Sequence, residues 1–128
     1  MTWSRLSTYA SILVVALVVM GVVSATQQAG NTPKRAYIVV QADISNPERY
    51  ADYAKLAPDI VAKYGGRYLA RGGRAITLEG PPARSRVVVL EFPSVEAAQT
   101  FYHSPEYAAA RKLREGSATA QFVLVEAL

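Results

Sequence analysis

The chain has 128 residues, 51% of them hydrophobic, with 14 basic and 10 acidic side chains and a formal net charge of +4. That length predicts one domain with enough apolar material for a core, and basic residues scattered without a run argue against a nucleic-acid surface. With no cysteine and a single histidine, His103, the composition excludes disulfides, thiol catalysis and any cysteine-ligated or multi-histidine metal site within one chain.

The first segment reads apart from the rest. Arg5 precedes an apolar run from Ala10 to Val23, and the small residues Ser24 and Ala25 close it as "VSA". A basic start, an apolar centre and a small-x-small exit are the parts of a secretory signal peptide, so cleavage is expected after Ala25. The run falls short of the roughly 20 apolar residues that a membrane span needs. An uncleaved anchor is the alternative, and it would be the chain's one association with a membrane. Absence of cysteine suits an oxidising compartment, and the expectation is export to the periplasm or the medium. Residues 26–34 read as a polar linker, and residues 35–128 as the folded domain.

"AYIVVQADI", from Ala36 to Ile44, is rich in β-branched residues and predicts a strand. A helix follows, with Asn46 as N-cap, Pro47 at its first position and Glu48 complementing the dipole. Tyr50, Tyr53, Ala54, Ala57, Ile60, Val61 and Tyr64 recur at spacings of three and four and make one apolar face. Pro58 lies inside this pattern and predicts a kink or break just before it. Gly65 and Gly66 end the helix. "RYLAR" then alternates as a strand, with "RAITLEG" expected to continue it beyond Gly72 and Gly73. "RVVVLEF", from Arg86 to Phe92, is the third strand. Ser94 caps a second helix, and Ser104 with Pro105 restarts it. "ATAQFVLVEAL" is the last strand. The order β-α-β-β-α-β predicts an α+β, ferredoxin-like sandwich: one antiparallel sheet with both helices on one face.

Helices cover one face of such a sheet, yet three of the strands are apolar on both faces. Alternation assigns Ile38, Val40, Val87 and Val89 to one face and Val39, Val88, Leu90 and Val123 to the other. A bare face of that kind predicts a two-fold homodimer, sheet against sheet.

Read together and in this order, "GGRYLARGG", "LEG" before a proline-rich loop, "RVVVLEFPSVEAA", "HSPEY" and "FVLVEAL" resemble the domain-of-unknown-function 1330 family of the dimeric α+β-barrel superfamily. The resemblance runs from about Ala36 to the C-terminus. It implies the dimer already inferred and assigns no activity. Members of the superfamily include small monooxygenases, haem-degrading enzymes and isomerases. The haem-degrading relatives use an asparagine, tryptophan and histidine set. The only tryptophan here, Trp3, lies in the export segment, which argues against that chemistry.

The glycine pairs fit no phosphate-binding fingerprint, since Gly65-Gly66 follow a helix and Gly72-Gly73 lie between strand segments. They read as a helix stop and a bend. Arg67 and Arg71 alternate to one side of "RYLAR". Two readings stand for them: an ion pair with Glu79 or Glu91 that fixes register, or a bidentate clamp for a small carboxylate or enolate. His103 precedes a helix cap with no catalytic partner marked by spacing, and reads as a surface or satisfied polar residue or, more sharply, a general base or haem ligand. Tyrosines 50, 53, 64, 68 and 107 read as core aromatics with wet hydroxyls, one of them lining a ligand site. The motif match and their polar chemistry in an apolar frame make Arg67, Arg71, Glu79, Arg86, Ser104, Tyr107 and Arg114 the ligand-binding candidates. The sequence assigns no catalytic residue, and no metal or cofactor is expected. The functional expectation is a domain of uncharacterised function that binds a small organic ligand, with a small organic acid as the candidate partner; the alternative is a cofactor-free, monooxygenase- or isomerase-like enzyme acting on a small acidic or enolisable molecule.

Overall fold

The computed structural model describes residue 30 and residues 32–128. The expected export signal and cleavage point lie outside the described residues. Strand β1 (Ala36–Ile44) leads into helix α1 (Pro47–Lys63), then β2 (Arg67–Arg71), β3 (Arg86–Phe92), α2 (Val95–His103), α3 (Pro105–Arg114) and β4 (Ala118–Glu126). The four strands form one antiparallel sheet in the order β2-β3-β1-β4, with all three helices packed over one face. This is the ferredoxin-like arrangement.

Local chemistry sets the helix ends. The Asn46 side chain accepts from the Arg49 amide at 3.0 Å, and Pro47 occupies the first turn, where a missing amide costs nothing. Ser94 and Ser104 cap α2 and α3 in the same way, accepting from the amides of Ala97 and Tyr107. Gly65 takes φ +79° just past α1, a conformation that favours glycine. Helix α1 does not break at Pro58; it runs unbroken to Lys63. The reason lies in β2. Proline lacks the amide that would bond the Ala54 carbonyl, and Arg71 Nη2 donates to that carbonyl at 2.7 Å instead.

Register places the core. Ile38 faces Leu90 and Leu124, and Val40 faces Val88 and Phe122; all of these side chains point at the helices. Val39 faces Val89 and Val123 on the opposite, open face. The β1 alternation is as expected, but β3 lies in the opposite phase: Val88 and Leu90 belong with Ile38 and Val40, and Val87 and Val89 belong with Val39. Alternation within one strand says nothing about which phase of its neighbour lies opposite.

Two further expectations fail at β2. Arg67 pairs with Glu91, Tyr68 with Leu90, Ala70 with Val89 and Arg71 with Val88, so Leu69 is an extra residue, a bulge. The bulge sends Arg67 to the open face and Arg71 to the helix face, not both to one side. Residues 74–80 do not continue the strand. Gly72 turns the chain at φ +66°, and residues 72–83 are exposed, with no strand beyond the β2 edge among the described residues.

Candidate functional site

A cavity lies between the sheet and helices α1 and α3. Its floor is made of small residues: Ala42 of β1 and Ala120 of β4 face one another in register and leave a gap that larger side chains would fill. Tyr50, Tyr53, Ala54 and Ala57 line it from α1, at the three- and four-residue spacing of one helix face. Tyr107 and Arg114, two turns apart, line it from α3, and Tyr68, Arg71 and Arg86 from β2 and β3. Its volume is about 30 Å³.

Its charge is one-sided. Arg71, Arg86 and Arg114 all reach the wall, and no lining residue is acidic. Arg71 lies 4.8 Å from the Tyr68 ring centre, Arg86 5.7 Å from that of Tyr50, and Arg114 5.4 Å from that of Tyr53 and 5.1 Å from that of Phe122. Ring faces partly stabilise these cations. They do not satisfy N–H donors, and the buried Nε atoms of Arg86 and Arg114 have no hydrogen-bond partner. Buried donors without acceptors are costly unless something else supplies the acceptor.

The tyrosines add a second chemistry. The Tyr53 and Tyr107 hydroxyls, both buried, are 2.7 Å apart. Burial raises both above the ordinary phenol value, with the Tyr107 neighbour adding to the rise at Tyr53 and the Arg114 charge opposing it at both. Burial also pushes Tyr68 up to about 12. All three are therefore neutral O–H groups at neutral pH. Two hydroxyls carry two protons, and the bond between them uses one. The other proton is free to donate into the cavity.

Of the seven sequence candidates, Arg71, Arg86, Tyr107 and Arg114 meet here. Arg67 does not: its Nε donates to Glu91 Oε1 at 2.8 Å on the open face, where Arg35 Nη1 also lies 3.4 Å from Glu91 Oε2. The hydrogen bond from Arg67, more than the charge of Arg35, holds the Glu91 carboxyl below its usual range. Glu79 lies exposed in the loop after β2 and makes no ion pair among the described residues. Ser104 is buried, but its hydroxyl is spent on the α3 cap and the Phe101 carbonyl. His103 is exposed on the rim of a neighbouring hollow. The missed residues are Tyr50, Tyr53 and Tyr68, read only as members of a tyrosine set. The α1 spacing groups Tyr50 and Tyr53 with Ala54 and Ala57, and that alternation of large and small on one face was the available signal. Gly72 has a role as well. A Cβ there would lie 2.5 Å from Arg86 Nη1, so the glycine leaves room for the Arg86 guanidinium. Among the described residues no cluster of histidine, aspartate and glutamate could hold a metal ion.

Comparison with known proteins adds three findings. Residues 35–128 match the family described as domain of unknown function (DUF1330). No curated protein matches. Among solved structures, the chain is similar to RPA0582, a protein of unknown function from Rhodopseudomonas palustris, at 21% identity and TM-score 0.61, covering 74% of this chain and 83% of that one. It is also similar to SnoaB, a cofactor-independent oxygenase from Streptomyces nogalater, at 14% identity and TM-score 0.54, covering 74% of this chain and 94% of that one. Identities this low are a likeness of fold.

Proposed function

This chain belongs to the DUF1330 family, and from that premise we propose that it binds a small organic carboxylate or enolate in the cavity under its helices. One observation carries the reading: three arginines line a small cavity that holds no carboxylate, and two of them keep a buried Nε without an acceptor. An anion there would accept from the Nε donors of Arg86 and Arg114, which otherwise stay buried and unpaired. The test is a titration of the purified chain with acetate, pyruvate and malonate, followed by amide chemical shifts. Shifts should centre on Tyr53, Arg71, Tyr107 and Arg114, and Arg114→Met should weaken binding at least tenfold. If none of the three acids moves those amides, the reading fails.

A cofactor-free enzyme is the second reading, favoured by the hydrogen-bonded Tyr53–Tyr107 pair. Its spare O–H can donate to an enolate oxygen beside the arginines, the kind of fixed donor that stabilises developing negative charge. SnoaB, of the same fold, is a cofactor-independent oxygenase. Exchange of pyruvate methyl protons in D₂O, faster with the chain than without it and slowed by Tyr107→Phe, would support this reading. A rate equal to that of buffer would leave only the binder.

We further propose that the chain is exported after cleavage behind Ala25 and works as a homodimer through the open sheet face. The support for the dimer is the apolar row Val39, Val89 and Val123 on that face, together with Ile76 and Leu78, which are 63% and 95% exposed on the loop after β2. The residue to charge is Val89, which lies on the open face opposite Val39. Val89→Asp should convert the dimer to monomer in light scattering at micromolar concentration, and a wild-type monomer there would refute the assembly. N-terminal sequencing of the exported chain should begin at Thr26; retention of Met1 would point to an anchor.

A further inference from the structure

The inner cavity is small, and a ligand seated there by its carboxylate or enolate end would reach beyond it. At about 30 Å³ it offers two water-sized positions, which the two oxygens of one carboxylate would fill. A larger hollow of about 320 Å³ lies beside it, walled by Ile38 and Leu124 of the sheet and by Ala98, Gln99, Tyr102 and His103 of α2. The two share Arg114, Ala120 and Phe122.

Register shows how the floor changes from one to the other. Along β4 the helix-facing residues run Ala120, Phe122, Leu124, opposite Ala42, Val40 and Ile38. The floor is bare methyl groups in the inner cavity, aromatic at the boundary and aliphatic in the outer hollow. The Arg114 guanidinium lies 5.1 Å from the Phe122 ring centre at that boundary, and its buried Nε has no partner. The outer hollow also lacks an acidic side chain, and its only polar residues besides Arg114 and the Tyr102 hydroxyl are Gln99 and His103, both exposed at the rim. A second anionic group would have to settle against Ile38, Ala98 and Leu124, in a hollow that no arginine or lysine other than Arg114 lines.

We infer that the two hollows form one site, and that its ligand is a monocarboxylic acid with an aryl or branched aliphatic tail. The carboxylate head takes the inner cavity, the link passes Phe122 and Arg114, and the tail lies in the outer hollow. The inference rests on the inner cavity being the anion site. Simple dicarboxylates and bare inorganic anions match the arginines but leave the apolar hollow unfilled.

The experiment compares acetate, phenylacetate and benzyl alcohol by amide-shift titration of the full chain and of Gln99→Trp, whose fold is checked by circular dichroism. Phenylacetate should bind at least tenfold tighter than acetate and at least tenfold tighter than benzyl alcohol. In Gln99→Trp, whose indole competes for the outer hollow, the ratio of phenylacetate to acetate affinity should fall toward one. If acetate binds and phenylacetate binds no tighter, the inference is overturned while the anion site stands. A tighter phenylacetate whose advantage survives Gln99→Trp also overturns it, since the tail then lies elsewhere. If neither acid binds, both the site and the inference fall together.

Discussion

Arg71 and Pro58 are coupled through a carbonyl that neither of them owns. Pro58 has no amide to give the Ala54 oxygen, and Arg71 Nη2 supplies the donor at 2.7 Å. A hydrogen bond from a charged donor contributes ~1.5–3 kcal/mol. Arg71 is exposed and water competes for the same oxygen, so we take about 1 kcal/mol. Arg71→Met should cost that amount, while much of the apolar contact with Tyr68 is retained. Pro58→Ala restores an amide four residues beyond Ala54, and the helix then satisfies its own carbonyl. In that background Arg71→Met should cost little, leaving a coupling of about 1 kcal/mol across the double-mutant cycle. Equilibrium urea unfolding of the four chains measures it, at one protein concentration because self-association adds to apparent stability. Additivity within ~0.3 kcal/mol would refute the shared-carbonyl account.

Three further outcomes follow from side chains already placed. Glu106, held by Lys63 and by the Tyr64 hydroxyl, is lowered from 4.5 to about 2. A depressed carboxyl stabilises the fold above its ordinary value, so this contribution is complete above about pH 4.5 and is lost as pH falls toward 2. Glu106→Gln should flatten that part of the stability–pH curve, measured by thermal unfolding, and an unchanged acid limb would count against the pairing. Tyr107→Phe strands the buried Tyr53 hydroxyl and should cost ~1–3 kcal/mol, whereas adding Tyr53→Phe should recover part of that loss in urea unfolding. Gly72→Ala forces a side chain into φ +66° and into the Arg86 guanidinium; it should cost ~1–2 kcal/mol and weaken acetate binding at least tenfold by titration.

What the sequence made legible was local. Ala36–Ile44, Pro47, Asn46, Ser94 and Ser104 announce strand, helix and caps by residue type within a few positions, and each stands where it was read. What it hid depends on partners distant along the chain. The phase of β3 against β1 is decided by pairing across some fifty residues. Pro58 looked like a breaker because its relief comes from Arg71. The acid that pairs with Arg67 was left open between Glu79 and Glu91, and only the β2–β3 register selects Glu91. Four of the cavity's polar residues were among the candidates, because arginine and tyrosine stand out in an apolar frame. That Ala42 faces Ala120, the pair that opens the space, carries no mark in composition at all.

Leu69 makes strand length at this edge more forgiving in one direction than the other. It is the residue without a partner, and its neighbours on both sides keep theirs. A chain lacking Leu69 would run as a plain four-residue ribbon with Arg67 still opposite Glu91 and Arg71 still opposite Val88. A chain that kept Leu69 but ironed out the kink would turn Arg71 outward and strip the cavity of one cation and the helix of its borrowed donor. Among descendants of this sequence, loss of a residue here should therefore pass more quietly than many single replacements, and gaps in this strand should gather at position 69.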